Sequence, residues 1–272
     1  MSTSELTNVI ARLDRDLRDS VVSLSVEEAG FLVDTYYRTQ DARIRAAHQA
    51  GQLNKAEKKH EVIEWLSTQD HVLENRVKTL LDRWTDSQPV GRYLKSICGV
   101  GPVIAAGLLA HIDIEKAPTA GHIWRYAGLD PTAQRKKGEK LKYNPDLKRL
   151  CFLIGESFIK QQSRENDVYG KLYLQRKAYE QEKNERGDYK DQAAAALANK
   201  KFRDDTATKA IYESGKLPPA HLHARARRWC VKLFLSQVHH FWYSTHFGKE
   251  PPLPYPIAIL HHTHLIPGPD HG

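Results

Sequence analysis

The chain has only three cysteines among 272 residues, and it lacks any apolar run as long as the roughly 20 residues that a membrane span needs. Cys98, Cys151 and Cys230 are far apart and flanked by apolar residues, which is typical of buried thiols rather than of a disulfide framework or a zinc site. The polar N-terminus MSTSELTNVI has no signal-peptide character. We therefore expect a cytoplasmic protein with no membrane partner, no metal and no other cofactor.

Strand signals are also scarce, and helical periodicity dominates the chain. We predict an all-α protein with a helical arm over residues 1–88, a helical domain over residues 89–248 and an extended tail over residues 249–272. The strongest periodic signal alternates steps of three and four residues, which is a heptad seam broken only by Asp70. The seam residues are Ile63, Leu66, Asp70, Leu73, Val77, Leu80 and Trp84. This pattern is consistent with an antiparallel helical hairpin, with a homodimer through residues 55–85, or with the ordinary buried apolar stripe of a single helix.

Residues 93–112, YLKSICGVGPVIAAGLLAHI, have the pattern of a helix-hairpin-helix: two short apolar helices joined by a Gly-Val-Gly turn. Gly99 and Gly101 can adopt backbone angles that other residues avoid, and Pro102 suits the first turn of a helix. A helix that begins there directs free amides and the positive end of its dipole at the space above the turn. The expected ligand is a phosphate group.

Positive charge is concentrated in the part of the chain that contains this turn. Residues 1–92 hold 13 Lys and Arg against 15 Asp and Glu, so the total of +8 leaves +10 on residues 93–272. A basic loop after Leu129 and a run of arginines after Ala224 predict nucleic-acid binding, although a solvated basic face and pairing with carboxylates of residues 163–216 are the alternatives. The candidate contacts to the DNA backbone are Gly99, Val100, Gly101, Val103, Arg135, Lys136, Lys137, Lys140, Lys142, Lys148, Arg149, Arg225, Arg227 and Arg228.

The last 24 residues combine six prolines with four histidines. Such a density of proline excludes a continued helix and predicts an extended strap. The histidines are His261, His262, His264 and His271. They lack a nearby cysteine or carboxylate pair, so packing and phosphate contacts are favoured over metal binding.

Residues 93–149 resemble the C-terminal domain of the insertion-sequence transposases of the IS110 and IS116 group, the bridge-RNA-guided recombinases. The similar features, in order, are Cys98-Gly-Val-Gly-Pro102, the alanine-rich residues 105–112, the box Tyr126-Ala-Gly-Leu-Asp-Pro131 and the basic residues 135–142. The resemblance implies a protein that binds DNA and takes part in DNA transposition, with residues 224–242 as the closing helix.

The chain departs from that family in two places. The family has an RNase-H-like domain with four catalytic carboxylates before the coiled coil, whereas helical sequence precedes it here. The family also has a nucleophilic serine in the basic loop, where this chain reads RKKGE. Ser157 and Ser163 follow, but serines there more often lie on the surface or cap a helix. We assign no catalytic residue.

We therefore predict a protein that grips the DNA backbone through the turn and the basic loop. RNA stays open as an alternative ligand. A divergent transposase subunit and a structural oligomerisation module are the alternative functions.

Overall fold

The protein is all-α, as the sequence predicts. The computed structural model describes residues 15–56, 58, 60–130, 138–199, 201–203, 206–253, 266 and 268, and these contain eleven α-helices and no strand. The helices are α1 Arg15–Ser20, α2 Val26–Lys55, α3 Glu61–Ser87, α4 Pro89–Ser96, α5 Pro102–His111, α6 Ala120–Tyr126, α7 Pro145–Gln161, α8 Tyr169–Arg186, α9 Lys190–Asn199, α10 Ala207–Glu213 and α11 Pro219–Phe247. Short 3₁₀ turns cover Val21–Ser23 and Ile114–Lys116.

Two compact units divide the chain, and the first comprises Met1–Ser96 and Val100–Asp113. Its main feature is the pair α2 and α3. The indole Nε1 of Trp84 donates a hydrogen bond of 3.1 Å to the carbonyl oxygen of Leu24, and Arg43 pairs with Glu74. Because the residue just before α2 meets the end of α3 and the middles of the two helices also meet, the helices run antiparallel.

The buried side of α3 differs in part from the predicted seam. Val77 and Trp84 are buried as expected, but Leu66 and Leu73 are exposed. Leu81 and Glu74 are buried instead, and Glu74 accepts hydrogen bonds from Arg43 and from Gln40 across the helix pair. At every second seam position, the side chain that faces α2 is therefore the one that follows the predicted residue in sequence. Coiled-coil geometry and dimerisation stay predictions.

Helix α5 completes the first unit by packing on α2 and α3. Ala105, Ala106 and Leu108 are fully buried. A Cβ atom on Gly30 would lie 3.6 Å from the Cβ of Ala110, so the two helices approach closely at that point. Residues beyond the predicted boundary at 88 thus pack within this unit. The division into domains at residues 88 and 248 stays a prediction.

The second unit comprises Ile97–Gly99 and Ile114–Gly272. Its long helix α11 packs against α6, α7 and α8. Three rings form the centre of its core: Phe158 stacks on Tyr169 with centroids 4.6 Å apart, and Phe234 meets both rings edge-on. A smaller cluster around Tyr189, Ala193 and Tyr212 joins α9 and α10.

Most of the predicted C-terminal strap, including His261, His262, His264 and His271, lies outside the described residues. At Ile266 the carbonyl oxygen accepts a hydrogen bond of 2.9 Å from the side chain of Gln237. Among the helices that the structure describes, none has the length and apolar content of a membrane span.

Candidate nucleic-acid interface

In the glycine turn between α4 and α5, Gly99 has the unusual backbone conformation that the sequence predicts, whereas Gly101 has an ordinary φ of −92°. Gly99 has a φ of +91°, a left-handed conformation that other residues rarely adopt. Gly101 is the N-cap of α5, Pro102 occupies the first turn, and the amide of Ala105 donates to the carbonyl oxygen of Gly101. The amides of Val103 and Ile104 precede that first helical bond, so they have no acceptor within α5.

The two ends of the turn differ in accessibility. The Ser157 hydroxyl donates a hydrogen bond of 2.6 Å to the carbonyl oxygen of Gly99, and a Cβ atom there would lie 3.1 Å from the Phe158 ring. Gly101 is exposed, and a Cβ atom at that position would meet nothing within 4 Å. Val100 and Val103 are buried. Of the predicted phosphate contacts in the turn, only the Gly101 end is open.

The junction between α6 and α7 contains the predicted box. Helix α6 ends at Tyr126, and Gly128 follows with a φ of +63°. A Cβ atom on Gly128 would lie 2.9 Å from Cγ of Tyr143, so the glycine also makes room for that ring. The amide of Asn144 donates to the carbonyl oxygen of Tyr126, which ties the start of α7 to the end of α6.

Asn144 caps α7, and the pair Asn144-Pro145 is itself a helix-start signal in the sequence. Its Oδ1 accepts hydrogen bonds from the amides of Asp146 and Leu147, and Pro145 follows at the first helical position. Its Nδ2 donates to the Tyr126 hydroxyl over 3.2 Å. One side chain thus fixes both the first turn of α7 and the ring at the end of α6.

The predicted basic residues near this junction face solvent where the structure describes them. Arg135, Lys136 and Lys137 lie outside the described residues. The exposed cations around the start of α7 are Lys140, Lys142, Lys148 and Arg149. Lys142 is 3.6 Å from Glu139, and the Lys148 ammonium lies 4.3 Å from the centroid of the Tyr143 ring. The described part of the basic loop is therefore a solvent-facing cationic surface.

The three arginines of α11 have different environments. Arg225 donates from Nε to Glu180 over 2.8 Å, which is the carboxylate pairing that we weighed from the sequence. Arg227 pairs with Glu156, and its side chain is only 14% exposed. Arg228 is exposed and makes no ion pair with a described residue. Arg225 and Arg227 therefore hold helices together, while Arg228 faces outward.

Sequence reasoning missed the buried carboxylate of Glu180. Burial alone would raise its pKa, but hydrogen bonds from Tyr189, Arg225 and Arg176 outweigh that effect, so the pKa of Glu180 is lowered. The charged stretch that contains Glu180 gave one local signal, since Arg176 lies four residues before it on α8. The other two partners could not be identified without the fold.

Cys151 and Cys230 are buried, as predicted, and burial raises the pKa of each thiol to about 12. Cys98 is half-buried. All three are free thiols. The two buried thiols stay protonated at neutral pH, so they act as small apolar groups in the core.

Residues 91–164 match the transposase IS116/IS110/IS902 family. The match includes the glycine turn, the box and α7, which confirms the resemblance seen in the sequence. Within residues 91–164, there are 13 Lys and Arg against 6 Asp and Glu, a net charge of +7. No curated protein and no solved structure matches the chain.

Proposed function

We propose that this transposase-like protein binds DNA through the phosphate backbone. The observation that carries the proposal is the exposed cationic surface at the start of α7, formed by Lys140, Lys142, Lys148 and Arg149. It lies within the segment that matches the transposase family. Cations held at a capped helix start are positioned to neutralise phosphates, and they carry no information about base sequence. We therefore expect binding that depends little on DNA sequence.

The other predicted contacts have separate roles in this proposal. Arg135, Lys136 and Lys137 extend the cationic sequence next to this surface, and Arg228 adds an exposed guanidinium on α11. Arg225 and Arg227 act as supports, because each is engaged by a carboxylate. Gly101 is exposed in the first unit, and the amides that follow it at the start of α5 are a separate candidate for contact with a phosphate.

Salt dependence tests the proposal directly. We would replace Lys140, Lys142, Lys148 and Arg149 together by alanine, and measure the affinity for a labelled DNA duplex at several salt concentrations. Each lost phosphate contact should make the slope of log K against log salt shallower by about 0.9, so four contacts predict a change of about 3 to 4.

The matched control removes four exposed cations from the first unit. Arg38, Arg45, Lys55 and Lys78 lie on α2 and α3 and are exposed. Replacing them lowers the total charge by the same amount but should leave the slope nearly unchanged. Equal changes of the salt slope in the two variants would show that binding depends on the net charge and not on the α7 surface. A duplex RNA of the same length, measured in parallel, tests the alternative ligand.

We also propose homodimerisation through α3, because one side of that helix is apolar and exposed. Val62, Leu66 and Leu73 are each about half exposed, and Trp65 is exposed beside them. These positions follow helical spacing on a face that α2 leaves uncovered. A Leu73→Glu variant should sediment as a smaller species than the native protein, whereas Lys78→Glu, at an exposed position of the same helix, should not. Identical sedimentation of native protein and both variants as monomers would exclude this interface.

A further inference from the structure

Aromatic rings and cations alternate along the solvent side of α7. Lys148 lies over the ring of Tyr143, and Phe152 follows Lys148 by four residues, which places both on one side of the helix. The guanidinium carbon of Arg227 lies over the Phe152 ring at 4.0 Å from its centroid. We name Tyr143, Lys148, Phe152 and Arg227 the aromatic–cation row. All four lie within the second unit.

The ring of Phe152 is exposed but held in place. The residue is 51% exposed, although it lies in the middle of a helix whose opposite side is core. Arg227 covers the ring from one side, and Glu156 holds the guanidinium there. An immobilised exposed ring loses little conformational entropy when a flat ligand stacks on it.

Gly155 leaves the space through which Arg227 reaches the Phe152 ring. A Cβ atom at Gly155 would lie 2.5 Å from Cγ and 2.8 Å from Cδ of Arg227, so the arginine stem crosses α7 where the helix has no side chain. A glycine inside a helix costs about 1 kcal/mol relative to alanine. The close approach of Arg227 explains why this helical position is occupied by glycine in spite of that cost.

The charges around the ring identify the chemistry of its ligand. Lys148, Arg149 and Lys160 are exposed on α7. Of the two carboxylates of this helix, Asp146 lies in its first turn, and Glu156, nearer to Phe152, is already paired with Arg227. The centres of protein–protein interfaces are depleted in charged residues, which does not fit this surface. An exposed ring among cations instead suits a nucleic-acid strand whose bases are unpaired, since rings stack bases while cations contact the flanking phosphates. A duplex hides its base faces and would use only the cations.

We propose that the aromatic–cation row binds single-stranded DNA, with Phe152 stacking on an unpaired base. Arg227 and Glu156 are positioning residues that hold the ring. Lys148 and Lys160 contact phosphates on either side, about 18 Å apart along the helix axis at 1.5 Å per residue. The inference rests on the proposed function, because the same α7 cations serve both.

The test compares three labelled oligonucleotides of equal length: a single-stranded oligo-dT, a DNA duplex and an oligo-U RNA. Removing one base stack should weaken binding by about 5- to 150-fold, so we expect Phe152→Ala and Phe152→Leu to lose that factor for oligo-dT. Phe152→Tyr should retain native affinity, because it keeps the ring. The salt slope and the duplex affinity of all three variants should equal those of the native protein.

The matched control is Leu174→Ala, which removes another exposed apolar side chain from a helix of the same unit. It should leave oligo-dT binding unchanged. If native protein binds none of the three probes, the proposed function itself fails. If native protein binds duplex and Phe152→Leu loses nothing on oligo-dT, only this inference fails. A loss confined to oligo-U would overturn the assignment to DNA.

Discussion

The buried carboxylate of Glu180 gives the sharpest stability prediction. Its side chain is 1% exposed and accepts hydrogen bonds from Arg176 and Arg225, each over 2.8 Å, and from the Tyr189 hydroxyl. These partners come from α8, α11 and the start of the α9 region. Replacing Glu180 by glutamine keeps the shape but removes the charge that two guanidinium groups share.

The expected loss follows from burial. Breaking a fully buried ion pair costs about 3 to 5 kcal/mol, because the remaining charge is left without its partner. Arg176 and Arg225 are each 26% exposed, so water can reach part of their charge. We therefore expect Glu180→Gln to lower the free energy of unfolding by about 2 to 3 kcal/mol.

Glu185 on the same helix provides the control. It pairs with Lys216 in a largely exposed position, so Glu185→Gln should cost less than about 1 kcal/mol. Both variants would be unfolded in urea at pH 7, and the loss of helix would be followed by far-ultraviolet circular dichroism. Equal losses in the two variants would refute the argument from burial.

The pH dependence adds an independent check. Because the pKa of Glu180 is lowered in the fold, its carboxylate contributes stability above the ordinary value of 4.5, and this is lost as pH falls through the folded pKa. The difference between native protein and Glu180→Gln should therefore shrink below pH 4.5. A difference that stays constant through this range would show that the charge is not responsible.

Three further substitutions test the junction between α6 and α7 and the buried His239 of α11. Gly128→Ala should lower stability by about 2 kcal/mol in urea unfolding, because alanine is strained at positive φ and meets Tyr143; a neutral result would contradict the close packing. Asn144→Ala should cost about 1 kcal/mol through the lost cap, measured as a lower melting temperature. Burial lowers the pKa of His239, whose Nε2 donates to the Ala117 carbonyl, so native stability should fall as pH drops below the ordinary 6.5. His239→Gln keeps a donor without titrating and should flatten this dependence in urea unfolding from pH 6.5 to 5; an unchanged slope would assign it to other groups.

The elements best predicted from the sequence are those defined by local signals. The glycine at 128 ends α6, and Asn144 with Pro145 begins α7, because a left-handed turn and an N-cap each need only a few neighbouring residues. The run Gly51-Gln-Leu-Asn54 has the composition of a turn and so predicts one, but that prediction is wrong, since α2 continues through it to Lys55. A single glycine weakens a helix by only about 1 kcal/mol, which the rest of a 30-residue helix can offset.

Sequence alone therefore determined the helical class, the two glycine turns and the concentration of positive charge near α7. Tertiary structure decided which cations face solvent, because Arg225 meets a carboxylate 45 residues away and Arg227 one 71 residues away. It also placed Glu74 rather than Leu73 against α2 and left Phe152 exposed beneath an arginine. Periodicity specifies that a helix has an apolar side, whereas the partner that covers this side depends on residues distant in the chain.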